Sequence, residues 1–129
     1  MTYLVDSDVV IDHVTADPTA LQLLDRLASA GLAVSTVTYM EVYEGYLRSR
    51  DSAMLANFDA FMAGVEIILF SVEIARRCAE LREELRQRGR RVRSRALDLL
   101  TAATALEHGF VLVTRNTADY NDIPGLTLI

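Results

Sequence analysis

Residues 3–12 read YLVDSDVVID, an apolar triplet that runs straight into an acid and resumes after a polar break. A short apolar run of this kind is typical of a strand that is buried on both faces at the centre of a parallel sheet. Asp6 then falls at the carboxyl end of that strand. Because ligands bind at the carboxyl ends of the strands in open α/β sheets, we expect the functional site at this edge.

The rest of the chain alternates short apolar runs with helical patterns. The apolar runs predict further strands at 32–35, 66–70 and 110–114, with 126–128 as a candidate last strand. The helical patterns predict helices over 19–30, about 38–48, 54–62, 72–87 and 96–108. Strands that alternate with helices pair in parallel through right-handed crossovers. The sequence therefore predicts a three-layer α/β/α sandwich with a central, mainly parallel sheet, in a single domain of residues 1–129.

Composition points to an ordinary cytoplasmic domain. Apolar residues make up 51% of the chain, but no apolar run approaches the roughly 18 residues that cross a bilayer. We see no export signal and expect no membrane partner. The single cysteine, Cys78, excludes an internal disulfide and falls in a helical apolar stripe with Leu81 and Leu85. We expect it to be a buried structural thiol.

Charge is distributed unevenly along the chain. The formal net charge is −5, which argues against a protein that binds nucleic acid simply by being basic. All 13 basic residues are arginines, and six of them fall between Arg86 and Arg95. The segment 88–95 is predicted to be a loop that contacts phosphates. A solvated surface segment, with Arg82 and Arg86 pairing Glu83 or Glu84 along the helix, is the alternative.

Four acids lie where predicted strands end or helices begin: Asp6, Glu41, Asp98 and Asp119. Since these points share one edge of a parallel sheet, the four carboxylates are expected to meet there. Three of these acids also have a simpler explanation, whereas a buried acid such as Asp6 is costly unless a charged or hydrogen-bonding group satisfies it. Thr38 and Glu41 fit a helix capping box, Asp98 fits a helix N-terminus, and Asp119 fits a turn.

Crowded carboxylates repel one another and protonate in part unless a cation is present. Oxygen ligands alone favour Mg²⁺ or Mn²⁺ over zinc, which prefers His and Cys. Such a site activates water and stabilises charge on a phosphate under attack. An acidic metal centre beside an arginine-rich segment therefore indicates hydrolysis of a phosphodiester.

Taken together, four short motifs resemble the PIN-domain nuclease family, and within it the small VapC-type toxins of toxin–antitoxin pairs. The motifs are LVDSDV at 4–9, residues 35–45 with Thr38, Glu41 and Gly45, DLLTAA at 98–103, and LVTRNTADY at 112–120. They occur in the family's order over nearly the whole chain. The last motif departs at two positions, since Asn116 replaces an acid found in many members and Tyr120 replaces the more usual Phe.

The resemblance implies a Mg²⁺- or Mn²⁺-dependent endoribonuclease that is usually a homodimer and is inhibited by a small cognate antitoxin. It implies catalytic roles for four acids: Asp6, Glu41, Asp98 and Asp119. Three of these, Asp6, Asp98 and Asp119, are expected to bind the metal. Polar groups that support these acids are expected to be Asp8, Thr38, Thr114 and Asn116. Contacts to RNA are expected from Arg88, Arg90, Arg91, Arg93, Arg95 and Arg115.

Two other functions remain open at this point. Asp6-Ser7-Asp8-Val9 after a buried strand also resembles the opening motif of haloacid-dehalogenase-like phosphatases, in which the first Asp is the nucleophile. The chain contains no lysine, which that mechanism commonly uses to hold the phosphate. The other alternative is a PIN fold that binds RNA or a protein partner without cleaving RNA.

Overall fold

A computed structural model describes the whole chain, residues 1–129. Its sheet contains four parallel strands: β1 (Tyr3–Val5), β2 (Leu32–Ser35), β3 (Glu66–Ile68) and β4 (Val111–Val113). They lie in the order β3-β2-β1-β4, so β1 is an inner strand, paired with β2 at Tyr3–Leu32 and with β4 at Tyr3–Val111. The candidate strand at 126–128 is reduced to one isolated bridge between Leu112 and Leu128.

Six helices cover the two faces of this sheet. They are α1 (Ser7–Val14), α2 (Pro18–Leu27), α3 (Thr36–Ser49), α4 (Ser52–Met62), α5 (Val72–Gln87) and α6 (Ala96–His108). Single 3₁₀ turns follow α2 at Ala28–Ala30, precede α6 at Arg93–Arg95, and follow β4 at Thr117–Asp119.

Alternate residues of β1, β2 and β4 enter two separate cores. Leu4, Ala33 and Leu112 pack with α5 and α6, whereas their chain neighbours Val5, Val34 and Val113 pack with α1 to α4. This alternation follows from the two-residue period of a strand. The three-layer α/β/α sandwich with a parallel sheet is therefore confirmed. Cys78 is a buried free thiol in the first of these cores, also as predicted.

The structure differs from the sequence-based prediction mainly between residues 6 and 18. No helix was predicted there, yet α1 begins directly after β1 because the Asp6 side chain accepts a hydrogen bond from the Ser7 N–H and caps the helix. One apolar run thus supplies both a strand and a helix. The residues after Asp6 repeat with the helical period and not with the two-residue period of a strand. None of the helices is both long and apolar enough to cross a bilayer.

Candidate active site

Asp6 lies at the carboxyl end of β1, on an inner strand, and is only 6% exposed. Its Oδ1 accepts the Ser7 N–H at 2.8 Å. Its Oδ2 accepts the Thr114 hydroxyl at 3.0 Å and the Tyr120 hydroxyl at 2.9 Å. Burial, and then the nearby charge of Asp8, raise the pKa of Asp6, while these hydrogen bonds oppose the rise. The structure thus supplies the polar partners that a buried acid requires.

Tyr120 joins the two innermost acids of the site. Its ring is 1% exposed, and its hydroxyl lies 2.9 Å from Asp6 Oδ2 and 3.2 Å from Asp98 Oδ1. A phenol has one proton, so it cannot donate fully to both carboxylates at once. Burial and the two carboxylates raise the pKa of Tyr120, so the phenol keeps its proton. Tyr120 therefore fixes the spacing of Asp6 and Asp98.

Asp98 enters this edge from the first turn of α6, as the sequence predicts. Burial is the main cause that raises its pKa, the charge of Asp119 adds to the rise, and Tyr120 and Arg95 oppose it. Small side chains on α6, with Thr101, Ala102 and Ala105 all buried, let the helix pack closely against the sheet. That close approach brings Asp98 within hydrogen-bonding distance of the Tyr120 hydroxyl, which also binds Asp6.

Glu41 comes to the same edge from α3 and is half-buried. Burial raises its pKa, and the charges of Asp6 and Asp98 raise it further, while the Ser7 hydroxyl partly offsets the rise. The position of Glu41 in its helix differs from the prediction. Because α3 begins at Thr36, Glu41 lies in the second turn rather than the first.

The capping box that offered a simpler explanation for Thr38 and Glu41 is not formed. The cap of α3 is Ser35, whose Oγ accepts the Thr38 N–H at 3.1 Å. Thr38 is fully buried in the first turn, and its hydroxyl lies 3.4 Å from Ser35 Oγ. Ser35 and Thr38 are both residue types that cap helices, and the cap is Ser35, the last residue of β2. Glu41 is thereby left without a capping role, and its carboxylate faces the other acids.

The fourth acid, Asp119, belongs to the 3₁₀ turn after β4 and is exposed. Its charge acts on Asp98. Arg95 holds this turn in place, since its guanidinium binds the Asp119 carbonyl at 2.8 Å and both carboxylate oxygens of Asp122 at 2.8 and 2.9 Å. Arg95 was predicted to contact RNA, whereas its guanidinium is occupied by these bonds and is 18% exposed.

The loop after β4 is fastened to α1 by two further acids. Asp8 Oδ2 accepts the Arg115 N–H at 3.0 Å and lies 3.4 Å from the Thr114 hydroxyl. The Arg115 guanidinium binds Asp12 at 2.7 Å, although 64% of the arginine side chain remains exposed. Asn116 donates its backbone N–H to Thr114 Oγ1 at 3.1 Å. Asp8, Thr114 and Asn116 thus form a connected support beside Asp6.

Asp6, Glu41, Asp98 and Asp119 are hereafter the acidic edge. No group of three or more His, Cys, Asp or Glu side chains in the chain is close enough to hold a metal ion by itself. Mg²⁺ is commonly bound through only one or two carboxylates, with water and substrate phosphates completing its shell. The pair Asp6 and Asp98 suits that requirement, because the two carboxylates lie on either side of one hydroxyl group.

Sequence reasoning missed two of the groups that build this site. Tyr120 was noted only as a departure from the family pattern. A buried tyrosine needs a hydrogen-bond partner, so its position one residue after Asp119 was a usable signal. The Arg95–Asp122 pair joins residues 27 positions apart, and no local pattern indicates it.

Comparison with known proteins identifies the family of the chain. The sequence profile of the PIN domain matches residues 3–126. Ribonuclease VapC19 of Mycobacterium tuberculosis is 30% identical over 125 residues, which cover 95% of each chain. Ribonuclease VapC2 of Rickettsia felis is 29% identical over 133 residues, which cover 99% of this chain and 96% of the relative.

A solved structure shows the same fold. The crystal structure of VapBC2 from Rickettsia felis, bound to a DNA fragment from its promoter, superposes with a TM-score of 0.89. It is 28% identical in sequence, with 100% of this chain and 98% of that chain covered. The chain belongs to the PIN-domain family. Within that family its relatives are VapC ribonucleases, and the resemblance seen in the four sequence motifs is confirmed.

Proposed function

We propose that this protein is a metal-dependent endoribonuclease, the toxin of a type II toxin–antitoxin pair, which hydrolyses RNA phosphodiester bonds with Mg²⁺ or Mn²⁺. The observation that carries the proposal is the convergence of Asp6, Glu41 and Asp98 from three separate elements at one sheet edge. The names of the relatives, both ribonucleases, support the same substrate and bond.

We assign the metal to Asp6 and Asp98, with Asp119 as a further candidate ligand beside Asp98. The bound cation would lower the pKa of a water and offset charge on the phosphate. The chain's own groups prepare the site in other ways. Tyr120 and Thr114 hold the Asp6 carboxylate in one orientation. Glu41, whose pKa is raised by burial and by the charges of Asp6 and Asp98, is suited to accept a proton from the attacking water.

The proposal is tested by comparing the parent protein with Asp98→Asn on structured RNA, in Mg²⁺, in Mn²⁺ and in chelator. We expect cleavage by the parent only with metal, and a loss of about 100-fold or more in the variant, because a ligand and its charge are both removed. Asp59→Asn is the matched control, since Asp59 is an exposed acid on α4. It should cleave like the parent.

Equal cleavage by the parent and Asp98→Asn would contradict the proposal. RNA binding without cleavage by the parent under every metal condition would instead favour a PIN fold that acts only as a binding module. The phosphatase alternative, with Asp6 as nucleophile, is not supported by any of the relatives. Transfer of phosphate to Asp6 would revive it.

We further propose a small antitoxin protein as partner and a homodimer as the resting assembly. The neighbour from Rickettsia felis is described as VapBC2, a complex with promoter DNA, which supports such a partner here. Expression of the chain alone should arrest growth, and co-expression of its antitoxin should relieve the arrest. Growth that is unaffected by active protein would count against a toxin.

A further inference from the structure

An open pocket of about 560 Å³ lies between the end of α5 and the segment that follows it, and four of its six lining residues are arginines. Its lining residues, hereafter the arginine pocket, are Arg82, Arg86, Arg91, Val92, Arg93 and Ser94. Two of these arginines come from α5, and the others come from the segment that joins α5 to α6. Four guanidinium groups from two parts of the chain therefore face one space.

The charges in this pocket are mostly uncompensated. Arg86 pairs with Glu83 at 3.1 Å on the surface of α5. None of the chain's six ion pairs includes Arg82, Arg91 or Arg93. Arginines that repel one another without a partner are well placed to receive an anion.

Other arginines of the same segment already lie near acids. Arg88 binds Glu84 at 3.0 Å, and Arg90 lies 4.0 Å from Asp122, which Arg95 also binds. Of the six arginines from 86 to 95, which look equivalent in the sequence, four have an acidic partner, whereas Arg91 and Arg93 have none. Arg88 and Arg90, which lie outside the arginine pocket, are hereafter the paired side, and Arg91 and Arg93 are the unpaired side. Only the unpaired side offers free donors.

The arginine pocket is close to the acidic edge along the backbone. Arg93 begins the 3₁₀ turn that leads directly into α6, and Asp98 lies five residues further on. Five residues span at most about 17 Å even when fully extended, so the two Cα atoms lie within that distance.

The lining favours a phosphate over a protein surface. Protein interfaces usually have an apolar core, but the single apolar side chain in this lining, Val92, is 9% exposed. Planar guanidinium groups match phosphate oxygens in pairs. We propose that the arginine pocket binds a backbone phosphate of the RNA within a few nucleotides of the cleaved bond. This proposal rests on the proposed ribonuclease function.

Two double variants with the same change of charge test this assignment: Arg91→Gln/Arg93→Gln in the pocket and Arg88→Gln/Arg90→Gln on the paired side. Binding of a labelled 12-nucleotide single-stranded RNA is measured by fluorescence anisotropy, in chelator, over a series of salt concentrations. Chelator separates binding from cleavage, so a failure of the ribonuclease proposal leaves this measurement interpretable.

We expect the pocket variant to bind about 10-fold more weakly at 0.1 M salt and its salt slope to fall by about 0.7, the value for one phosphate on a single strand. The paired-side variant should lose less than about 3-fold, because its arginines already have partners. Equal losses in both variants, or an unchanged salt slope in the pocket variant, would overturn the assignment. Displacement of the RNA by polyglutamate at equal charge concentration would also overturn it, in favour of an acidic protein segment.

Discussion

The acidic edge and the arginine segment, residues 82–95, concentrate opposite charges in opposite ways. Asp6 lies on an inner strand, is 6% exposed, and has its oxygens held by Ser7, Thr114 and Tyr120. The arginines project from a helix end and a loop, and most are exposed. In the acidic edge, rigid elements hold like charges close together. In the arginine segment, most of the like charges are exposed to solvent.

The two regions differ in how much free energy they cost the folded state. Burying carboxylates raises their pKa values, so the acidic edge lowers stability at neutral pH in order to hold a reactive arrangement. Exposed arginines cost little, and their pairing decides instead which of them remain free. Four substitutions test this contrast, and their expected effects decrease in the order given.

Arg95→Gln should cause the largest loss, about 2–3 kcal/mol of unfolding free energy, because it removes a two-pronged bond to Asp122 at a half-buried position. Arg95 holds the pKa of Asp122 below its ordinary value of 3.8. The stabilisation is therefore present above that pH and lost as the pH falls below it. Urea denaturation should therefore show a smaller loss of unfolding free energy at pH 3 than at pH 7. A loss below 0.5 kcal/mol at pH 7 would place Arg95 with its exposed neighbours.

Tyr120→Phe should cost about 1–2 kcal/mol, since the phenol is the common partner of two buried or half-buried carboxyl groups. Tyr43→Phe provides the control, because Tyr43 is 37% exposed and its hydroxyl makes no hydrogen bond within the chain. Thermal and urea denaturation of both variants give the comparison. Equal stability of the two variants would show that Tyr120 does not tie Asp6 to Asp98.

Asp6→Asn should stabilise the metal-free protein by about 1 kcal/mol at pH 7, even though it abolishes the proposed activity. Burial raises the pKa of Asp6 above 3.8 in the folded chain, so the folded state binds this proton more tightly than the unfolded state. Ionisation of Asp6 therefore lowers the stability of the folded state. This loss of stability is absent below pH 3.8 and grows as the pH rises through the folded-state pKa. Asn keeps the cap on α1.

The gain from Asp6→Asn should therefore be measured in chelator at pH 7 and again at pH 4, where it should be smaller. A variant that is less stable than the parent at pH 7 would mean that the hydrogen bonds of Asp6 outweigh its burial. Asp59→Asn again serves as control and should be neutral at both pH values.

Arg88→Gln should change stability least, by under about 0.5 kcal/mol, because its pair with Glu84 is exposed and spans one helical turn. The same urea measurement, made beside Arg95→Gln, compares two arginines seven positions apart. Comparable losses in the two variants would remove the distinction between a structural arginine and a surface arginine in this segment.

The order of strands and helices could be predicted from the sequence because each apolar run carries its own period. The helices at 72–87 and 96–108 were predicted at their observed bounds, since α5 has a clear apolar stripe and Gly109 ends α6 with a φ of +68°. The acids Asp6 and Asp98 were also located correctly, at a strand end and in a helix's first turn. The helix α1 was not predicted, because its apolar residues 9–11 look like a continuation of the apolar run of β1.

What only the tertiary structure decided is which groups face one another. The sequence shows four acids, a departure at Tyr120 and a run of arginines, all through local patterns that a strand or helix imposes. It does not show that Tyr120 lies between Asp6 and Asp98, or that Arg95 binds Asp122 while Arg91 and Arg93 stay free. Those contacts depend on side-chain directions at packed edges, and residues up to 114 positions apart meet there. Local periodicity sets the elements, and packing alone sets the partners of each charge.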